Sequence, residues 1–87
     1  MTTGNATQEA GAGMTLDELK PGQGCVIKSN SATGALGQRL LDLGFVPGAE
    51  IRVVRNAPLV DPVELELDGY SVSVRHDEAR LLGVERI

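Results

Sequence analysis

The chain has 87 residues and a formal net charge of −4, and its length suffices for one small domain. Its single cysteine cannot form an internal disulfide, which favours a reducing compartment. Its acidic balance and the lack of a Lys/Arg cluster argue against nucleic acid and anionic lipid as partners, because both carry negative phosphates. No run approaches the roughly 20 apolar residues that cross a bilayer, and we therefore expect a cytoplasmic protein without membrane insertion.

The first 13 residues differ in composition from the rest. They are mostly Thr, Gly, Ala, Asn and Gln without an apolar period, which is typical of a disordered tail. They also have neither the basic start nor the apolar core of a secretory leader. The sequence therefore predicts a disordered N-terminal tail at residues 1–13 and one folded domain at residues 14–87.

The folded part begins with a helix start signal. Thr15 and Glu18 have the spacing of a capping box, and the Pro-Gly pair that follows limits the helix to residues 16–20. Residues 23–28 alternate as a first strand, and residues 29–34 are expected to be a polar loop. The expected core contacts of these elements are Leu16, Leu19, Cys25 and Ile27.

The only long helix that the pattern predicts covers residues 35–43. Its apolar stripe, with spacing i, i+4 and i+7, consists of Leu36, Leu40 and Leu43. Leu41 lies about 100° from this stripe and is expected at the surface. Gly37 is expected to weaken the helix by roughly 1 kcal/mol relative to alanine.

A helix stop and a tight turn follow at once. Gly44 stands where helices often end in a residue with positive φ, and Pro47 with Gly48 suits a type II turn. Residues 50–55 then alternate as a strand, and two prolines make residues 56–62 a loop. A helix that turns sharply into a strand is a structural element and supplies no catalytic groups. It therefore favours a binding module over an enzyme.

The clearest local signal is a β-hairpin around Asp68 and Gly69, a pair that favours a type I′ turn. A two-residue turn places three apolar pairs on one face: Val63 with Val74, Leu65 with Val72, and Leu67 with Tyr70. Beyond the hairpin, Asp77 is expected to cap a short helix, and residues 81–87 are expected to form the last strand.

Five short strands with one helical interruption predict a mainly β fold. The expected architecture is a small, partly open SH3-like β-barrel with a short helical insertion, and an OB-fold is the second choice because it also has five strands and a helix.

Metal-binding and catalytic chemistry have little support. His76 is the only histidine and Cys25 the only cysteine, whereas structural zinc needs four ligands and the two-His-one-carboxylate iron site needs a second histidine. We therefore predict a protein that is not an enzyme, without catalytic residues, a cofactor or a metal site of its own. Weak iron or zinc binding, or a metal shared between two copies, stays an open alternative.

The order of several motifs resembles the FeoA domain, the small cytosolic partner of the bacterial ferrous iron transporter FeoB. The most specific motif comprises Arg39, Leu40, Asp42, Leu43, Gly44, Pro47 and Gly48. The remaining matches are Leu16, Leu19, Pro21, Gly22, Pro58, Leu59, Pro62, Gly69, Val72, Glu78 and Ala79. The sequence departs from the family pattern at Val60-Asp61, where a glycine is expected before the second proline.

The resemblance implies an SH3-like fold and a regulatory role through contact with FeoB, a membrane protein with a cytosolic GTP-binding domain. A similar domain occurs at the C-terminus of iron-dependent repressors, which makes a metal-sensing or metal-binding module the alternative. A third interpretation is a domain that associates weakly with itself.

An apolar surface is the predicted contact site, because exposed apolar patches often mark partner sites. Its expected members are Leu41, Phe45, Val46, Pro58, Leu59 and Val60.

Overall fold

The computed structural model describes residues 13–87, so the predicted tail lies outside the described residues except for Gly13, which is exposed. Its strands are β1 (Gly24–Asn30), β2 (Glu50–Arg55), β3 (Val63–Leu67), β4 (Tyr70–Val74) and β5 (Leu82–Arg86). Its helices are a 3₁₀ turn (Leu16–Glu18), α1 (Gly34–Leu43) and α2 (His76–Ala79). Among these residues, no helix has the length and apolar character that a membrane crossing requires.

The five strands form one antiparallel sheet in the order β4-β3-β2-β1-β5. The strands β4 and β5 are its edges, so the sheet is open and only roughly barrel-like. Residues from every strand and from the 3₁₀ turn meet in one apolar core, which includes the four expected early contacts Leu16, Leu19, Cys25 and Ile27. The predicted mainly β architecture with a helical insertion is therefore confirmed.

The β3–β4 hairpin has the predicted register, with Val63 opposite Val74 and Leu67 opposite Tyr70. Asp68 and Gly69 have φ values of 52° and 81°, as a type I′ turn requires. Tyr70 is nevertheless 72% exposed. It lies on the edge strand β4, directly after the turn.

Helix α1 ends at the predicted residue, but the burial of its apolar stripe differs from the prediction. Leu40 is fully buried, whereas Leu43, which was expected to point inward, is 38% exposed, as is Leu41. Gly44 has a φ of 112°, and this left-handed residue turns the chain so that Phe45 enters the core in place of Leu43. The next turn is closed by a 3.0 Å bond from the Ala49 N–H to the Val46 carbonyl oxygen.

Gly37 has a packing role that the sequence did not indicate. It is buried, and a Cβ atom at this position would lie 2.5 Å from the carbonyl oxygen of Ala32. The segment before α1 is shorter than predicted, because β1 extends to Asn30. The Asn30 side chain accepts a bond from the Ala32 N–H (2.9 Å) and donates one to the Gly37 carbonyl oxygen (3.3 Å). The absence of a side chain at Gly37 therefore allows α1 to pack closely on the preceding loop.

The prediction that Asp77 caps the last helix is wrong. Helix α2 begins at His76 and its N-cap residue is Arg75, whose N–H donates to Glu78 Oε1 at 3.0 Å. Asp77 lies exposed within the first turn. The capping carboxylate is thus Glu78, three residues after the N-cap, because a side chain at that position can reach back to the N–H of the N-cap residue.

Candidate functional site

The described residues contain neither a cluster of three metal ligands nor a reactive thiol. Within residues 13–87, no three His, Cys, Asp or Glu side chains are close enough to hold one metal ion. The Cys25 thiol is buried in the core, and burial raises its pKa to about 11. It is therefore protonated at neutral pH and is a poor nucleophile, because the thiolate is the reactive form. The carboxylates Glu64 and Glu66 lie on a strand face turned to solvent, and Glu64 is 3.6 Å from Arg55 Nη1.

The residues of the predicted apolar surface differ in their exposure. Its proposed members were Leu41, Phe45, Val46, Pro58, Leu59 and Val60. Phe45 is fully buried, so its inclusion is wrong: the left-handed turn at Gly44 directs its ring into the core. Leu41 and Val46 are partly exposed near the end of α1, and the other three are exposed in loop 56–62.

Loop 56–62 displays an apolar side chain in an unusual backbone conformation. Leu59 is 100% exposed and has a φ of 62°, a left-handed value that non-glycine residues rarely adopt. Such a conformation costs of order 1–3 kcal/mol and persists only where the surrounding structure imposes it. A 3.2 Å bond from the Val60 N–H to the Ala57 carbonyl oxygen closes the loop locally. The loop is thus held in a form that keeps Leu59 away from the core.

Hydrogen bonds attach both ends of the loop to the rest of the domain. At its start, Asn56 Nδ2 donates to the carbonyl oxygens of Asp17 (3.0 Å) and Leu19 (2.6 Å). At its end, Asp61 Oδ1 accepts the backbone N–H of His76 at 2.8 Å. The His76 ring joins the two ends, because Nδ1 lies 2.7 Å from Asp61 Oδ1 and Nε2 lies 2.8 Å from Asn56 Oδ1. The backbone and side-chain hydrogen bonds from His76 lower the pKa of the Asp61 carboxyl.

Helix α2 also contacts α1 and the 3₁₀ turn. Arg39, one of the motif residues, forms an ion pair with Glu78. Arg80 Nε lies 3.8 Å from Asp17 Oδ2. In each pair the arginine is exposed and the carboxylate is mostly covered, and ion pairs at the surface contribute about 0–1 kcal/mol each. Asp42, the other charged motif residue, accepts a 2.9 Å bond from Gln38 Nε2 within α1.

A shallow depression adjoins the loop and completes this surface. It is lined by Leu59, Asp61, His76, Asp77 and Arg80. Sequence reasoning missed the bonds among Asn56, Asp61 and His76, which are 15 and 20 positions apart along the chain. The one available signal was the departure from the FeoA pattern at Val60-Asp61.

Comparisons with known proteins agree with the motif order. The family profile of the FeoA domain matches residues 14–86. The chain is 42% identical over 74 residues to an Fe(2+) transport protein A/Fe(2+) transporter FeoB fusion protein of Porphyromonas gingivalis. This match covers 85% of the chain but only 9% of the fusion protein.

Solved structures show the same fold. An FeoA protein of Chlorobium tepidum has a TM-score of 0.77 at 40% identity, covering 85% of this chain and 70% of that protein. A zinc complex of FeoA from Stenotrophomonas maltophilia, described as an SH3 domain protein, has a TM-score of 0.74 at 33% identity, covering 83% of this chain and 89% of that protein. The predicted SH3-like architecture is therefore confirmed.

Proposed function

The chain belongs to the FeoA domain family, and on that premise we propose that it is a non-enzymatic, cytoplasmic accessory protein of ferrous iron uptake that contacts the cytosolic region of an FeoB-type transporter. The observation that carries this proposal is the Porphyromonas gingivalis protein, in which a related domain and an FeoB transporter form one chain. In that relative the two kinds of domain belong to one polypeptide, which supports a contact between them.

We propose that loop 56–62, the docking loop, provides the main contact. Leu59 is fully exposed at the tip, and Pro58 and Val60 beside it are also exposed. Both ends of the loop are fixed by hydrogen bonds to the domain. A pre-ordered loop loses less conformational entropy on binding, and an apolar anchor inserted in a partner's pocket is a common source of affinity. Leu41 and Val46 are proposed as secondary contacts.

The test is a binding titration against the isolated cytosolic region of the FeoB-type transporter from the same organism. Burying a leucine side chain is worth about 1.5–3 kcal/mol, and each ~1.4 kcal/mol changes the Kd tenfold. Leu59→Asp should therefore weaken binding by roughly 10–100-fold. The matched control is Val54→Asp, at an exposed apolar position on β2, which should change the Kd by less than about twofold. A wild-type chain that does not bind rejects the contact, and equal losses in both variants reject the loop as its site.

Metal binding is the second candidate function, and the zinc complex of the Stenotrophomonas maltophilia relative favours it. One copy of residues 13–87 brings no three suitable ligands together, so a metal would be shared with a second copy or a partner. Anoxic calorimetry with Fe(II), combined with sedimentation, separates the two functions. Heat from Fe(II) together with dimer formation in sedimentation would favour the metal-binding function, whereas no heat from Fe(II) together with transporter binding would support the accessory role.

A further inference from the structure

The only histidine of the chain has an acceptor facing each ring nitrogen. His76 Nδ1 is 2.7 Å from Asp61 Oδ1, and Nε2 is 2.8 Å from Asn56 Oδ1. The side chain is only 19% exposed, so water has limited access to replace either partner. These two contacts connect the start and the end of the loop through one ring.

The orientation of the Asn56 amide follows from its other contacts. Its nitrogen faces the carbonyl oxygens of Leu19 and Asp17, which can only accept hydrogen bonds. The amide oxygen must therefore face His76 Nε2, and it too can only accept. On the other side, the lowered pKa of the Asp61 carboxyl keeps that group an ionised acceptor at neutral pH.

A neutral imidazole has one N–H donor, whereas the imidazolium has two. Only the cationic ring satisfies both Asp61 and Asn56, and a neutral ring leaves a lone pair facing an oxygen. We propose that doubly protonated His76 is the positioning residue that holds the docking loop, so that the order of the loop and the presentation of Leu59 depend on pH. This inference rests on the proposed function and concerns the regulation of that same contact.

The charged groups around the ring are consistent with this assignment. They are Asp61 from the loop, Arg75 and Asp77 beside His76, Arg80 at the end of α2, and Asp17 in the 3₁₀ turn. Arg75 Nε approaches Asp61 Oδ2 (3.9 Å) and Asp77 Oδ1 (3.8 Å), and Arg80 pairs with Asp17. Each arginine thus has a carboxylate, and the oxygen Asp61 Oδ1 is left to the imidazolium.

Asp61 and His76 respond to pH in opposite directions. Because the folded-state pKa of Asp61 is lowered, its contribution is present above the ordinary range of an aspartate, near pH 4, and is lost as pH falls through the lower folded value. Loss of one ring proton from the imidazolium removes the N–H donor to one of the two oxygens. We therefore expect the loop to be more ordered while both ring nitrogens carry a proton than after one of the protons is lost.

Nuclear magnetic resonance of the ¹⁵N-labelled full chain tests this without a partner. The ring signals are unambiguous because there is one histidine. At pH 5.5 both ring nitrogens should show attached protons, and the amides of Leu59 and Val60 should have order parameters typical of rigid backbone. Above pH 8 one ring proton should be lost and the same amides should become mobile. A neutral tautomer at pH 5.5, or loop amides that do not respond to the ring titration, would overturn the inference.

Variants separate positioning from general stability. His76→Gln removes the titrating group, so the pH dependence of the loop amides should disappear. Asp61→Asn should move the loosening of the loop to lower pH, because the charge that favours the imidazolium is gone. Asp77→Asn is the matched control, since Asp77 also contacts Arg75 but has no bond to the ring, and its profile should match the wild type. Identical profiles for all three variants and the wild type would contradict the proposal.

Binding to the transporter's cytosolic region is then measured at pH 6 and pH 8, to test whether the order of the loop affects the affinity. The wild type should bind roughly tenfold more weakly at pH 8, the size expected for one hydrogen bond to a charged group, and His76→Gln should show no such difference. Binding that is independent of pH while the ring titrates would overturn the regulatory claim. A loop that titrates in a chain that never binds the transporter would instead reject the proposed function.

Discussion

Replacing Gly37 by alanine distinguishes packing from helix propensity. On propensity alone, Gly37→Ala in the interior of α1 should stabilise the protein by about 1 kcal/mol. The structure predicts the opposite sign. A Cβ atom at Gly37 would lie 2.5 Å from the carbonyl oxygen and 3.0 Å from the carbonyl carbon of Ala32. These are backbone atoms, so no side-chain rotation can relieve the contact.

The size of the effect follows from these distances. The new methyl group would be roughly 1 Å inside the ordinary ~3.5 Å contact distance. Overpacking of this kind costs about 1–3 kcal/mol. Moving the loop away would also disturb the Asn30 bonds to Ala32 and Gly37, worth about 0.5–1.5 kcal/mol each. With both bonds weakened and the gain in helix propensity subtracted, we expect Gly37→Ala to destabilise the protein by about 1–5 kcal/mol.

Urea unfolding followed by far-UV circular dichroism measures this change. In a domain of this size, each kcal/mol lowers the midpoint by roughly 1 M urea. The matched control is Ala35→Gly, the reverse exchange at an exposed position of the same helix, which should cost about 1 kcal/mol through propensity alone. If Gly37→Ala raised the midpoint while Ala35→Gly lowered it by a similar amount, the close approach to Ala32 would have no energetic role.

Three further predictions concern the core. Leu40→Ala should cost about 2–5 kcal/mol in chemical denaturation because Leu40 is fully buried; a loss under about 0.5 kcal/mol would contradict that burial. Gly44→Val should destabilise more than Gly44→Asn in thermal melts, since asparagine tolerates positive φ better and both place a Cβ against Leu67; equal melting temperatures would refute the role of positive φ. Cys25 should react with a thiol reagent at pH 8 far more slowly in the native protein than in urea, because burial raises its pKa to about 11, and equal rates would show that the thiol is accessible.

The parts of the fold that local chemistry determines were predictable from the sequence. The β3–β4 register was correct because a two-residue turn and an alternating apolar pattern specify the same pairing. The positive φ at Gly44 and Gly48 was predicted for a similar reason, since each belongs to a stop or turn with its own residue preference.

Other features depend on where a side chain meets the rest of the domain. Leu43 and Phe45 exchange their expected environments because the direction of the chain after Gly44 is set by packing, which periodicity does not describe. The sequence indicates only a low helix propensity at Gly37, whereas its close approach to Ala32 depends on the tertiary packing. The loop contacts of His76 join segments far apart in sequence, and a single histidine in a polar stretch gave no indication of two partners.

The pairing at the start of the domain has a consequence for how it can be attached to other proteins. Thr15 bridges Gly83 of β5, and the Val84 N–H donates to the Met14 carbonyl oxygen at 3.0 Å. Ile87 is three residues beyond Val84, or roughly 10 Å of extended chain. The two ends of the domain are therefore close together, an arrangement that favours circular permutation and insertion into another polypeptide. A short linker that joins the two ends should leave the sheet intact, and another protein can be attached at either end.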